Sequence, residues 1–238
     1  MKNIFIIASK EFRSYLSSPM AYIITAIFLV GTGFFFSFSD LTYSETSLRG
    51  FLGNPFYIPI ILLLIAVLTM RLLAEERKMG TIELLLTAPV RDSEIIMGKF
   101  FGVLGVIALM LILTFYYPLI LTIFGDPDIG PMISGYLGLF LLSASCLAIG
   151  LFSSSLTSNQ IVAAVLAGGI LLGLWYLGSA SSYLPKTVGD VINYFSLSNY
   201  FPSFVTGVID TRGIIYYISV TALFLFLAMR SLENSRWN

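Results

Sequence analysis

Phe100-Phe-Gly-Val-Leu-Gly-Val-Ile-Ala-Leu-Met110-Leu-Ile-Leu-Thr-Phe115-Tyr-Tyr-Pro-Leu-Ile120-Leu-Thr-Ile-Phe124 runs without one charged residue. A helix needs about 20 mostly apolar residues to cross the hydrocarbon of a bilayer, and this stretch is long enough. Five further runs qualify: residues 20–38, 56–73, 132–152, 161–183 and 213–229. The whole chain carries the same signature, with mean hydropathy +0.91, 57% hydrophobic residues and 11% charged ones. A soluble domain would carry about 25% charge. The expected fold is therefore an all-α integral membrane protein of six transmembrane helices, residues 1–238 forming a single domain.

The first run is not read as a secretory leader, although Ser37-Phe38-Ser39 places small residues near a cleavage point. Its apolar stretch and the segment before it are both too long for that role. Six spans put both termini on one side, and basic residues say which. Lys2, Lys10, Arg13, Arg71, Arg77, Lys78, Arg91, Lys99, Arg230 and Arg236 lie with the termini and the loop after span 2, while only Arg49, Lys186 and Arg212 lie opposite. Both ends are expected in the cytoplasm, across a bacterial or archaeal cytoplasmic membrane.

The composition also excludes. The chain has no histidine, so bis-His haem sites, His-ligated metals and Ser-His intramembrane proteases cannot be built from it. Zero net charge gives no reason to expect nucleic acid. Cys146 lies in an apolar run and reads as a small packing residue. The cores of the six apolar runs lack Asp, Glu, Lys and Arg, which counts against an ion-coupled pump. Energy for any transport is expected from outside the membrane domain.

Two segments are neither spans nor plain loops. Residues 2–18 place Ile4, Ala8, Phe12, Tyr15 and Leu16 at helical spacing, with Lys2, Lys10, Arg13, Ser14 and Ser17 off that stripe. An amphipathic interface helix in the headgroup layer fits this pattern; a polar leader with chance periodicity is the alternative. Residues 184–212 are rich in aromatics but interrupted by Gly189, Pro202 and Gly207. Short interfacial or partly re-entrant outer helices fit, as does a structural cap that touches no substrate. Gly98/Gly102 and Gly169/Gly173 are small-residue pairs at four-residue spacing, the second a possible dimer face on span 5.

Ten of the charged residues (13 basic and 13 acidic in all) crowd into Arg71–Lys99. Gly80 can break the helix continuing from span 2, and Pro89 stops whatever begins at Thr81. Thr81-Ile-Glu-Leu-Leu-Leu-Thr-Ala88 fits about two helical turns, with Ile82, Leu85 and Leu86 on one face. Each could contribute ~1.5–3 kcal/mol if buried against a partner. Glu75, Glu76, Arg77, Lys78, Glu83, Arg91 and Asp92 would form a charged rim. The alternative is an amphipathic loop resting on the membrane. Asp92 or Ser93 is the expected N-cap of the helix entering span 3. No phosphate-binding loop is present: at Gly98-Lys99, Ser93 replaces the required first glycine and Phe100 follows the lysine.

The run Ala74-Glu-Glu-Arg-Lys-Met-Gly-Thr-Ile-Glu-Leu-Leu-Leu-Thr-Ala-Pro89, followed by Glu94-Ile-Ile-Met-Gly-Lys99, resembles the first cytoplasmic loop of type-2 ABC exporter permeases. Lys10-Glu-Phe-Arg-Ser-Tyr-Leu-Ser-Ser-Pro-Met-Ala-Tyr22, Ser158-Asn-Gln-Ile-Val-Ala-Ala164 and Phe201-Pro-Ser-Phe-Val-Thr-Gly-Val-Ile-Asp-Thr-Arg212, with Arg230-Ser-Leu-Glu233, resemble the subgroup related to gliding-motility and nitrous-oxide-reductase maturation permeases. Two positions depart from that subgroup: Tyr200 stands where His is frequent, and Gly213 where an acidic residue is common.

The resemblance implies a non-catalytic permease subunit that pairs with a second permease subunit, identical or not, and with two ABC ATPase subunits. ATP and Mg would sit on the ATPases, with no cofactor in this chain. The coupling helix would lie in Gly80–Pro89, with Glu75 and Glu76 on its approach, so the ATPase-coupling residues are Glu75, Glu76, Gly80, Thr81, Ile82, Glu83, Leu85, Leu86 and Pro89. The leading function is export driven by the separate ATPase. A non-transporting assembly or mechanical component driven by the same kind of ATPase is the runner-up, and an autonomous channel or facilitator the third reading.

Overall fold

The computed structural model describes residues 2–43, 48–81, 90–124, 128–181 and 183–234. Among them, every regular element is a helix. Lipid imposes this, because backbone amides with no water to bond must be satisfied inside their own segment. Six helices are long and apolar enough to cross a membrane: Pro19–Ser37, Tyr57–Lys78, Asp92–Ile123, Ile129–Ser155, Gln160–Ser181 and Thr211–Asn234. They are numbered spans 1 to 6. The expected all-α, six-span class is the one observed, and the protein is a multi-pass membrane protein.

Span 4 is the hub, packed against spans 2, 3, 5 and 6. Its sequence explains why: glycines, alanines and serines along it let neighbours approach closely. A Cβ on Gly138 would lie 2.7 Å from Phe204, and Gly150 leaves room for the Thr69 side chain of span 2. Ser145 adds a polar stitch, donating to the Tyr217 carbonyl of span 6 at 3.0 Å. Spans 1, 5 and 6 stand at the periphery and leave most of their surface uncovered.

Lys2–Leu16 forms the expected N-terminal helix, but its stripe faces protein rather than lipid. The helix lies along the start of span 3, where a Cβ on Gly98 would sit 2.6 Å from Ile7 and one on Gly102 2.9 Å from the Ala8 carbonyl. Tyr15, on the stripe, is buried, whereas Phe5 is 76% exposed and Ile6 also faces outward. The Gly98/Gly102 pair therefore serves packing within one subunit.

Span 2 is interrupted between Tyr57–Thr69 and Ala74–Lys78. In an unbroken helix the amides of Leu73 and Ala74 would bond to carbonyls four residues back. Instead both donate to Ser154 Oγ at 3.0 Å, and Ser154 donates to the Met70 carbonyl at 3.0 Å. A side chain from span 4 has entered the ladder, a recognised cause of helix kinks.

Span 3 is interrupted between Asp92–Leu113 and Tyr116–Phe124. Pro118 has no N–H and cannot bond the Thr114 carbonyl four residues earlier. That carbonyl turns instead to the Tyr117 amide at 3.1 Å and to the Tyr136 hydroxyl of span 4, which donates to it at 2.9 Å. One break lies at the end of the bundle that carries the termini, the other toward the opposite end.

At that opposite end, Lys186–Tyr194 and Phe201–Val205 form two short outer helices between spans 5 and 6, and Leu48–Leu52 a third between spans 1 and 2. They fold back into the bundle: Leu197 and Phe204 are fully buried. The Leu197 amide donates to the Leu174 carbonyl of span 5 at 3.1 Å, and Tyr217 of span 6 donates to the Leu197 carbonyl at 2.9 Å. Gly213 is required here, since a Cβ would lie 2.8 Å from the Phe204 ring; an acidic side chain would need that ring to move.

Candidate functional site

The chemistry of this chain is concentrated where the N-terminal helix, the end of span 2 and the start of span 3 meet. Span 3 begins as a helix at Asp92, well before the apolar run. This places Lys99 inside the bundle, its side chain only 3% exposed. A buried ammonium group needs opposite charge close by. Two carboxylates supply it: Glu76 at 2.8 Å and Glu11 at 3.5 Å.

Each partner comes from a different element. Glu76 belongs to the short helix Ala74–Lys78 beyond the span 2 break, and Glu11 to the N-terminal helix. The second oxygen of Glu76 is buried and finds no hydrogen-bond partner among the described residues. The cluster therefore holds two anions against one cation, a balance that depends on Lys99.

Around it the joints are also fixed. Arg71 donates to Ser18 Oγ at 2.8 Å and lies over the Tyr15 ring, 4.1 Å from its centroid. Tyr15 donates to the Leu68 carbonyl at 2.8 Å, and burial pushes its phenol pKa upward. The turn into span 1 is thereby tied to the end of span 2. Asn3 donates to the Glu94 carboxylate at 3.1 Å, and the same carboxylate accepts from the Arg91 amide at 3.2 Å. The helix of span 3 thus takes Arg91 as its N-cap. That corrects the expected cap at Asp92 or Ser93: Glu94 reaches back, so the chain becomes helical one residue sooner.

Of the residues singled out from sequence, Glu75 and Glu76 lie on the short helix, both partly buried. Gly80 has φ of 69°, a left-handed conformation that glycine adopts without strain. Thr81 is exposed and donates to the Glu76 carbonyl at 3.3 Å. Ile82, Glu83, Leu85, Leu86 and Pro89 lie outside the described residues. Gly169 and Gly173 occupy an open face of span 5, where an added Cβ would meet nothing within 4 Å. Cys146 is fully buried.

Three participants escaped the sequence reading: Glu11, Lys99 and Ser154. A signal existed for Glu11, because position 11 shares the helical face of Ile4, Ala8 and Tyr15. A charge on an otherwise apolar stripe calls for a buried partner. Ser154 left no such trace, being one of three consecutive serines.

Residues 36–230 match a family model described as ABC-2 family transporter protein. No curated protein matches the chain.

Proposed function

The chain belongs to the ABC-2 transporter family, and from that membership we propose that it is the permease subunit of an ATP-driven exporter. The family is a membrane component and not itself catalytic. Hydrolysis would fall to separate ATPase subunits carrying ATP and Mg. The terminal end of the bundle would face the cytoplasm, in line with its excess of basic residues.

One observation supports this reading above the others: both feet of the segment between Lys78 and Asp92 are held by the same cluster. Glu76 before the segment and Lys99 after it form one ion pair, with Glu11 as a third member. A segment anchored in this way passes a push on its tip to spans 2 and 3 together. Gly80, Thr81, Ile82, Glu83, Leu85, Leu86 and Pro89 would form the surface that the ATPase grips, with Glu75 and Glu76 at its base. The open Gly169–Gly173 face of span 5 would meet a second permease subunit. Membership of the gliding-motility and nitrous-oxide-reductase-related subgroup belongs to this proposal as well.

The test is co-purification of the ATPase with tagged permease. Leu85→Asp and Leu86→Asp are expected to abolish it while membrane insertion is unchanged; unchanged co-purification would sink the docking assignment. ATP-dependent flux in reconstituted vesicles separates export from a purely mechanical role, which predicts hydrolysis without flux.

A further inference from the structure

On either side of the bend at Thr114, spans 3 and 4 leave a groove of about 680 Å3 between them. Ala108, Ile112 and Leu119 form one wall; Ile129, Ile133 and Phe140 form the other. Ile112, Leu119, Ile129 and Ile133 are each more than half exposed along the mouth, so the groove opens sideways from the bundle.

The groove offers nothing to a polar ligand. The Tyr136 hydroxyl, in its wall, is already engaged, donating to the Thr114 carbonyl at 2.9 Å and lying 3.1 Å from Thr114 Oγ1. Thr122, also in the wall, donates to the Leu119 carbonyl at 2.9 Å, and Thr114 to the Leu111 carbonyl at 2.7 Å. A water molecule held there would lack the two to four polar partners it needs. The occupant must be hydrocarbon.

Length decides which hydrocarbon. From Ala108 to Thr122 a helix rises about 21 Å, and from Ile129 to Phe140 about 17 Å. One leaflet of the bilayer core is about 15 Å deep. Both walls therefore span a leaflet, the one at the end of the bundle opposite the termini. At the mouth of the groove Ile129 follows Asp128, the N-cap of span 4. Asp128 pairs with Arg49 at 2.8 Å, both about half exposed. An exposed cation beside an exposed anion complements a headgroup that carries phosphate and ammonium together.

We propose that this groove is a binding site for one acyl chain of a phospholipid, whose headgroup lies against the Arg49–Asp128 pair. The site is independent of ATPase docking, since it uses only spans 3 and 4 and the far rim.

The test uses the intact chain in nanodiscs with a phospholipid carrying a diazirine on one acyl tail, followed by peptide mapping. Labelling of residues 108–140 is expected to exceed, several-fold, that of Ile215, Ile218, Leu223 and Phe226 on span 6, which are similarly exposed. Filling the groove from either wall, with Ala108→Phe or Ile133→Trp, should remove the excess, while Ile215→Trp should not. Arg49→Gln should lower labelling by the phospholipid but not by a diazirine-bearing long-chain alcohol. Labelling that merely follows exposure, or that survives both groove-filling variants in protein of unchanged elution volume, overturns the site. Equal response of phospholipid and alcohol to Arg49→Gln overturns the headgroup contact. Disulfide-linked pairs formed through Ile133→Cys would assign the groove to a second copy of the chain instead.

Discussion

Two of the six spans are broken, and span 4 repairs each break in a different way. In span 2 the Ser154 hydroxyl enters the gap, serves two amides and one carbonyl, and is itself fully buried. In span 3 the Tyr136 hydroxyl joins the Tyr117 amide on the one carbonyl that Pro118 cannot serve, and a groove remains beside it. Hydrogen-bond demand and space are thus settled separately. Where the broken helix leads into a charged segment, both are closed; where it lies among apolar side chains, only the first is.

The largest effect is expected from removing the charge network beside the span 2 break, which has no counterpart at the span 3 break among the described residues. Lys99→Met leaves Glu11 and Glu76 facing each other without a cation. The expected loss is about 4 kcal/mol, within the ~3–5 typical of a buried pair deprived of one partner, read as a lowered midpoint in thermal unfolding of the purified protein. A midpoint equal to wild type would mean the cluster is merely solvated.

Ser154→Ala comes next, at about 3 kcal/mol, because it strands three backbone groups at ~1–3 kcal/mol each and the gap can close only in part. It should also speed hydrogen exchange at the Leu73 and Ala74 amides. Unaltered exchange there would show that Ser154 does not hold the break. Tyr136→Phe, which removes one of the two donors on the Thr114 carbonyl, should cost only about 1 kcal/mol.

The smallest effect is expected where the proline itself is replaced. Pro118→Ala restores an N–H in register with the Thr114 carbonyl, which already has two donors, and should change stability by no more than the ~1 kcal/mol of one net hydrogen bond. Combined with Tyr136→Phe it should remove most of that variant's cost, since the new amide replaces the phenol. Additive losses in the double-mutant cycle would mean the proline is not the origin of the bend.

Much of the fold could be read locally. Crossing a bilayer is a property of one run of about 20 apolar residues, so six such runs announce six helices before any of them meets a neighbour. Gly80 was legible for a similar reason: a glycine between a charged helix and Thr81 marks a turn, and its φ is indeed positive. The N-terminal helix was legible as a helix but not in its placement. Periodicity shows that Ile4, Ala8, Phe12 and Tyr15 share a face; it does not say whether that face meets lipid or the glycine notch of span 3. Both are apolar, and a hydropathy scale scores them alike.

The candidate site divides along the same line. Its outer residues, from Glu75 to Pro89, stand out because charge is rare elsewhere in the chain. Its inner members do not. Lys99 ends a charged stretch on paper, yet it is buried because the span 3 helix starts at Asp92 and the N-terminal helix covers it. Ser154 is one hydroxyl among many, and matters because the span 2 break lies opposite it. The membrane setting, the number of spans and the segment that departs from lipid chemistry follow from local composition, since each is a sum over neighbouring residues. Which buried charge meets which carboxylate, and which hydroxyl repairs which break, are matters of packing between distant segments. Those depend on contacts between residues as far apart as Glu11 and Lys99, and no local pattern carries that distance.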